Sequence, residues 1–210
     1  MGVFSAALHV RRGVTAIIGS GGKTTLLLRL AEELREQSSV LVTTSTHIFP
    51  PQGMPVLTRT GRVRGVCCVG SPCGEKLSAP AQPFEELAAL ADFVLVEADG
   101  SARLPLKAHA SYEPPIPPNA NNRILVVGVS GLGRPVCEAA HRPERFRALS
   151  GSETASPEAV AAVIRAEALC DRAVLNQAET NPAAARRLAA LLPCPGILAT
   201  LNKGELLCSF

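Results

Sequence analysis

The chain has 210 residues, of which 47% are apolar, 19% charged and 3% aromatic, and it carries a formal net charge of +3. That length and apolar content suffice for a single domain, residues 1–210, with a substantial core, and they disfavour disordered, collagen-like and coiled-coil readings. The small charge, spread over scattered arginines, argues against a nucleic-acid or membrane-surface partner.

The apolar run from Val3 to Val10 precedes Arg11 and Arg12, which reverses the order of a secretion signal. No stretch reaches the roughly 18 apolar residues of a spanning helix, so the cytoplasm is the expected compartment. The seven cysteines are irregularly spaced in a chain large enough to fold on its core, and they read as reduced thiols. Val14 to Ile18 is a short β-branched run ending at glycine. Leu26, Leu27, Leu30, Ala31 and Leu34 then recur at helical spacing over Lys23 to Arg35. Ser39 to Thr44 and Val63 to Val69 are the next expected strands, separated by a loop with Pro50, Pro51, Gly53 and Pro55. Phe84 to Ala91 reads as a helix leading into the strand Phe93 to Val96. Strands at Ile124 to Val129 and Ala173 to Leu175 alternate with helices at Pro157 to Leu169 and Pro182 to Leu192, the first opened by the cap pair Ser156-Pro157.

Alternating strands and helices predict an α/β fold, a mainly parallel sheet with helices on both faces, because parallel neighbours need crossovers and helices supply them. Ligands bind such sheets at the carboxyl ends of strands. The Pro-rich loop at 104–122 breaks the rhythm, since its five prolines and the run Asn119-Ala120-Asn121-Asn122 leave no room for a regular element.

Residues Gly19-Ser20-Gly21-Gly22-Lys23-Thr24-Thr25 join the first strand to the first helix. A phosphate cradle needs converging backbone N–H groups, glycines that let the chain curl, a helix start behind them and a lysine for charge. This segment offers all of these, with Lys23 as the cation and Thr24 as a hydroxyl for Mg²⁺. The loop is two residues shorter than the usual G-x-x-x-x-G-K-[ST] spacing, and this shortened form is similar to that of Mur-type peptide ligases. A plain glycine-rich turn is the bland alternative.

The strand Phe93 to Val96 runs into Glu97-Ala98-Asp99, carboxylates suited to holding Mg²⁺ and orienting an attacking water. Their competing reading is two solvated acids in a turn. Thr44-Ser45-Thr46-His47 is a hydroxyl-rich strand end able to sense a γ-phosphate, or a product of β-propensity alone. Asn176-Gln177-Ala178-Glu179 stands where GTP-binding P-loop proteins carry N-K-x-D, with glutamine for lysine and glutamate for aspartate, and it equally reads as a helix start. The base, ATP or GTP, stays open. Cys67, Cys68 and Cys73 read as a soft-metal thiol cluster or, more simply, as buried strand cysteines without zinc spacing. Cys137, Cys170, Cys194 and Cys208 read as small apolar fillers.

With these pieces placed, the stretches IIGSGGKTTLL, VLVTTSTHIF, FVLVEADGSARLPLKA, ILVVGVSGLGRP and VLNQAE together resemble the YqeC-type accessory proteins of selenium-dependent molybdenum hydroxylases. EADGSARLPLKA following GGKTT is the specific part. The resemblance implies a three-layer P-loop NTPase-like fold and an NTP-binding protein serving maturation of a molybdenum hydroxylase client or its cofactor. It also implies that Arg103 and Lys107 face a phosphate or an anionic pterin-type ligand, with the Pro-rich loop as a lid. The implied roles are catalysis by Lys23, Glu97 and Asp99 and metal binding by Thr24, Glu97 and Asp99. Nucleotide binding falls to Gly19, Ser20, Gly21, Gly22, Lys23, Thr24, Thr25, Arg103, Lys107, Asn176 and Glu179. A phospho- or nucleotidyl-transferase or ligase and a non-catalytic client-binding module are the competing expectations.

Overall fold

The computed structural model describes residues 2–210. In chain order the elements begin with α1 (Val3–Ala7), β1 (Gly13–Gly19), α2 (Lys23–Leu34), β2 (Val40–Thr44), β3 (His47–Ile48), β4 (Val56–Leu57) and β5 (Val66–Val69). There follow β6 (Ser71–Cys73), β7 (Lys76–Ser78), α3 (Phe84–Leu90), β8 (Phe93–Glu97), β9 (Leu106–Lys107) and β10 (Ala120–Gly128). The last are α4 (Val136–Ala139), β11 (Ala140–His141), α5 (Pro143–Ser150), α6 (Pro157–Glu167), β12 (Arg172–Asn176), α7 (Pro182–Leu191), β13 (Gly196–Thr200) and β14 (Glu205–Ser209). Single 3₁₀ turns lie at Val129–Gly131 and Ala178–Thr180.

The chain divides into two compact units. The first takes the residues up to Ile17, Thr24–Asp99 and Pro115–Arg123; the second takes Ile18–Lys23, Gly100–Pro114 and Ile124–Phe210. Each is α/β, with mainly parallel strands flanked by helices, the layering of a P-loop NTPase-like fold.

In the first unit β1, β8, β2, β5 and β4 pair in that order, all parallel. Every residue of β2 and β8 is buried, as expected of strands covered on both faces. The register sets Ile17 and Thr44 on either side of Glu97, so three strands deliver their carboxyl ends at one level. The leucine stripe of α2 is buried as the spacing predicts, with Leu26, Leu27, Leu30 and Leu34 all at 4% exposure or less. β5 starts at Val66 rather than Val63, because Gly65 adopts φ +75°, which ends any extended run, and gives its carbonyl to Val40 N at 2.7 Å.

In the second unit β10, β12 and β13 are parallel and β14 closes the edge antiparallel to β13. α6 is capped by Ser156, whose side chain accepts from Ala159 N, and it has Pro157 in its first turn. Its face of Ala159, Val160, Val163 and Ile164 is buried. Two elements contradict the expectation that 104–122 holds nothing regular. β9 pairs with β11 at Leu106–Lys107, and β10 already begins at Ala120. Its early start is anchored inside the first unit, where the Asn121 and Asn122 side chains donate to Arg12 O and His9 O. α5, β13 and β14 are further elements outside the sequence expectations. Among the described residues no helix is long and apolar enough to cross a membrane.

Candidate functional site

The second unit contains the glycine loop. Gly21 has φ +82°, and a Cβ there would lie 2.5 Å from Gly128 Cα and 2.6 Å from Gly128 N. Gly22 has φ +135°, and its Cβ would lie 2.4 Å from the Asn176 side-chain nitrogen. Both conformation and space therefore demand glycine. Ser20 N donates to Val126 O at 2.8 Å, and the Ser20 hydroxyl is bonded to Leu104 O. α2 opens at Lys23, which is 5% exposed. Its ammonium donates to Gly19 O at 2.9 Å and to Ser101 Oγ at 3.1 Å. Gly19, Ser20, Gly21, Gly22, Lys23 and Asn176 are among the expected site residues; Ser101 is not, and its position just after the strand-end acids was the available signal.

Asn176, at the carboxyl end of β12, ties two loops together. Its side-chain nitrogen donates to Gly21 O at 2.7 Å, and its oxygen accepts from Leu201 N at 2.9 Å. Glu179 sits in the 3₁₀ turn and accepts a hydrogen bond from Thr200 Oγ1 at 2.8 Å.

Arg103 is exposed, with φ +61°. Lys107, expected to face an anion, is instead turned into the protein: its side chain is 0% exposed, donates to Gly100 O at 2.6 Å and lies 3.2 Å from Glu113. Glu113 in turn accepts two bonds from Arg142, at 2.8 and 2.9 Å, a bidentate pair that holds its carboxyl at about 2. Burial trims that effect, and the Ala110 N–H and the Lys107 ammonium add to it. Glu167 accepts from His109 N at 2.6 Å and meets His109 Nδ1 at 2.7 Å. The 104–114 stretch, for all its prolines, is thus clamped by Arg142, just ahead of α5, and by Glu167, the last residue of α6. Sequence reasoning missed these partners because they lie 29 and 58 residues away along the chain.

The first unit contains the oxygen donors. Thr24 Oγ1 donates to Glu97 Oε2 at 2.7 Å. Glu97 is 7% exposed and Asp99 1%. Glu97 O accepts from Ser45 N at 3.2 Å and from Thr44 Oγ1 at 2.8 Å, fixing the end of β8 against the end of β2. Ser45 Oγ is shut off from solvent and has no hydrogen-bond partner. A hydroxyl on a nearly buried carboxylate, with an orphaned hydroxyl at the end of the neighbouring strand, is the all-oxygen chemistry a hard divalent cation prefers, so these residues fit Mg²⁺. Thr25 lines a shallow depression with Thr24, Leu28, Arg29 and Glu32. His47 is exposed on β3 and pairs with Ser78.

Cys67 and Cys68 are buried on β5, and burial pushes both thiols up, Cys68 to about 12. Cys73 is exposed on β6, in a different sheet. High thiol pKa values make poor soft-metal ligands, so the two strand cysteines behave as core residues.

A model of the YqeC protein family matches residues 15–144. The chain is also 37% identical over 166 residues to the uncharacterized protein YqeC of Escherichia coli (strain K12), an overlap of 71% of this chain and 65% of that protein. The chain therefore spans just under two thirds of that relative's length.

Proposed function

Because the chain belongs to the YqeC family, we propose that it is a Mg²⁺-dependent, NTP-binding and NTP-hydrolysing accessory protein for the maturation of a selenium-dependent molybdenum hydroxylase. The observation that carries the reading is a lysine ammonium, nearly out of water, resting on the carbonyl of its own glycine loop where α2 begins. A lysine at a helix start behind a curled glycine loop adds its charge to the converging N–H donors, which is the combination that suits a polyphosphate.

In this reading the amides of Gly19, Ser20, Gly21 and Gly22 donate to phosphate oxygens and Lys23 offsets β/γ-phosphate charge. Thr24, Glu97 and Asp99 hold the metal, which when bound supplies further charge neutralisation at the phosphates. One of the two carboxylates orients the attacking water. Catalysis is then positioning and charge stabilisation, with no covalent chemistry asked of the protein. Asn176 keeps the loop in shape, Glu179 stands on the turn that would meet the base, and Arg103 is the exposed cation left to meet an anionic client or cofactor group.

Isothermal titration of the wild type and Lys23→Ala with ATP and with GTP, each with Mg²⁺, tests the reading. The wild type is expected to bind one nucleotide at least a hundredfold more tightly than the variant. Equal, negligible binding by both proteins ends the proposal.

A further inference from the structure

Cys170 and Cys194 stand on the chain segments entering β12 and β13, at the amino ends of two adjacent parallel strands whose register pairs Ala173 with Gly196. Ala173 N donates to Pro195 O at 3.1 Å, so the two entering segments run side by side. Gly196 permits that approach, since a Cβ on it would lie 2.2 Å from Ala173 O. The outcome is a pair of half-buried thiols, 24 residues apart in sequence, with their sulfurs 3.5 Å apart. A disulfide needs about 2.05 Å between sulfurs, so the pair is about 1.5 Å from bonding distance.

We propose that Cys170 and Cys194 form a reversible intramolecular disulfide, the one thiol pair of the second unit placed for oxidation by a low-molecular-weight disulfide of the glutathione class. The hydrogen bond from Cys170 holds the Cys194 thiol below its ordinary value, which makes Cys194 the attacking sulfur. Its thiolate attacks one sulfur of glutathione disulfide, whose S–S bond breaks. A Cys194–glutathione mixed disulfide forms and one glutathione thiolate leaves. The Cys170 thiolate then attacks Cys194 Sγ, closing the protein disulfide and releasing the second glutathione. The two protein thiols lose two electrons and two protons, and one glutathione disulfide becomes two thiols. The bridge closes the 170–194 span, which contains β12, α7 and the loop-tying Asn176, and so restricts the unfolded chain. The inference does not depend on nucleotide binding.

The test is incubation of the full chain with reduced and oxidised glutathione at several ratios, followed by alkylation and peptide mapping without reductant. The expected product is a Cys170–Cys194 cross-linked peptide, at least ~10-fold more abundant than glutathione adducts of either residue, because the partner thiol is present at high effective concentration. Cys170→Ser and Cys194→Ser should each convert the remaining thiol to a stable glutathione adduct. The oxidised wild type should melt at a higher temperature than the reduced protein, and the double serine variant should show no such difference. The proposal is overturned if both thiols stay alkylatable while exposed Cys73, Cys137 and Cys208 are modified, or if either pairs with another cysteine.

Discussion

Replacing Glu113 with glutamine removes the charge that Arg142 and Lys107 share. The bidentate Arg142 pair, with the buried Lys107 ammonium 3.2 Å away, lowers the Glu113 carboxyl from 4.5 to about 2. That drop corresponds to about 3 kcal/mol, which the partial exposure of Glu113 (17%) and Arg142 (26%) reduces to about 2 kcal/mol. The variant also takes one carboxylate charge from beside Lys107, whose side chain is 0% exposed, so Glu113→Gln is expected to cost about 2–3 kcal/mol at pH 7, or roughly 5–10 °C in melting temperature. Because the folded carboxyl sits below its unfolded value, the stabilisation is complete above about 4.5 and disappears as pH falls through about 2. Urea unfolding of both proteins across this range should therefore show a gap that is widest near neutrality and narrows toward pH 2. In a Lys107→Met background Glu113→Gln should cost less, since the Glu113 charge then has no neighbouring ammonium to meet. A gap below about 0.5 kcal/mol at pH 7, or one of constant size at every pH, refutes the assignment of this cluster as a charge clamp.

Gly21→Ala is expected to cost about 3 kcal/mol, measured by chemical denaturation, because its Cβ meets the backbone of Gly128 and cannot be relieved by a side-chain rotation. Asn176→Ala removes two bonds that join loops and should lose about 2 kcal/mol, with nucleotide affinity falling in the same titration that tests Lys23; an unchanged protein would detach Asn176 from the loop's support. Thr24→Val should raise the Mg²⁺ concentration needed for nucleotide binding about 10-fold, and identical Mg²⁺ dependence would remove Thr24 from the metal shell. Iodoacetamide at pH 8 should label Cys73, Cys137 and Cys208 in the native protein but reach Cys67 and Cys68 only in denaturant, and comparable native rates would contradict their burial.

The local chemistry was legible from the order of residues. Apolar runs ending in glycine or in carboxylates marked β1 and β8, leucine spacing marked α2, and Ser156-Pro157 marked the start of α6, since each signal lies within one turn or strand. Signals that depend on distant partners were not legible. Leu106–Lys107 is a strand only because Ala140–His141 lies beside it, and β10 reaches back to Ala120 only because Asn121 and Asn122 find carbonyls near the amino end of the chain.

Lys107 gives the sharpest contrast. The family resemblance implies that it faces an anionic ligand; in the folded chain its side chain is buried 3.2 Å from Glu113, which Arg142 also holds, so that it acts as an internal brace. Ser101 beneath Lys23 and the orphaned hydroxyl of Ser45 likewise acquire meaning only through contacts. Sequence by itself determined which residues could curl, donate, or carry charge, because propensity and backbone conformation are properties of neighbours along the chain. Which charges face inward, and which hydroxyl meets which carboxylate, was decided by tertiary structure alone, because burial and Coulomb interaction depend on proximity in space.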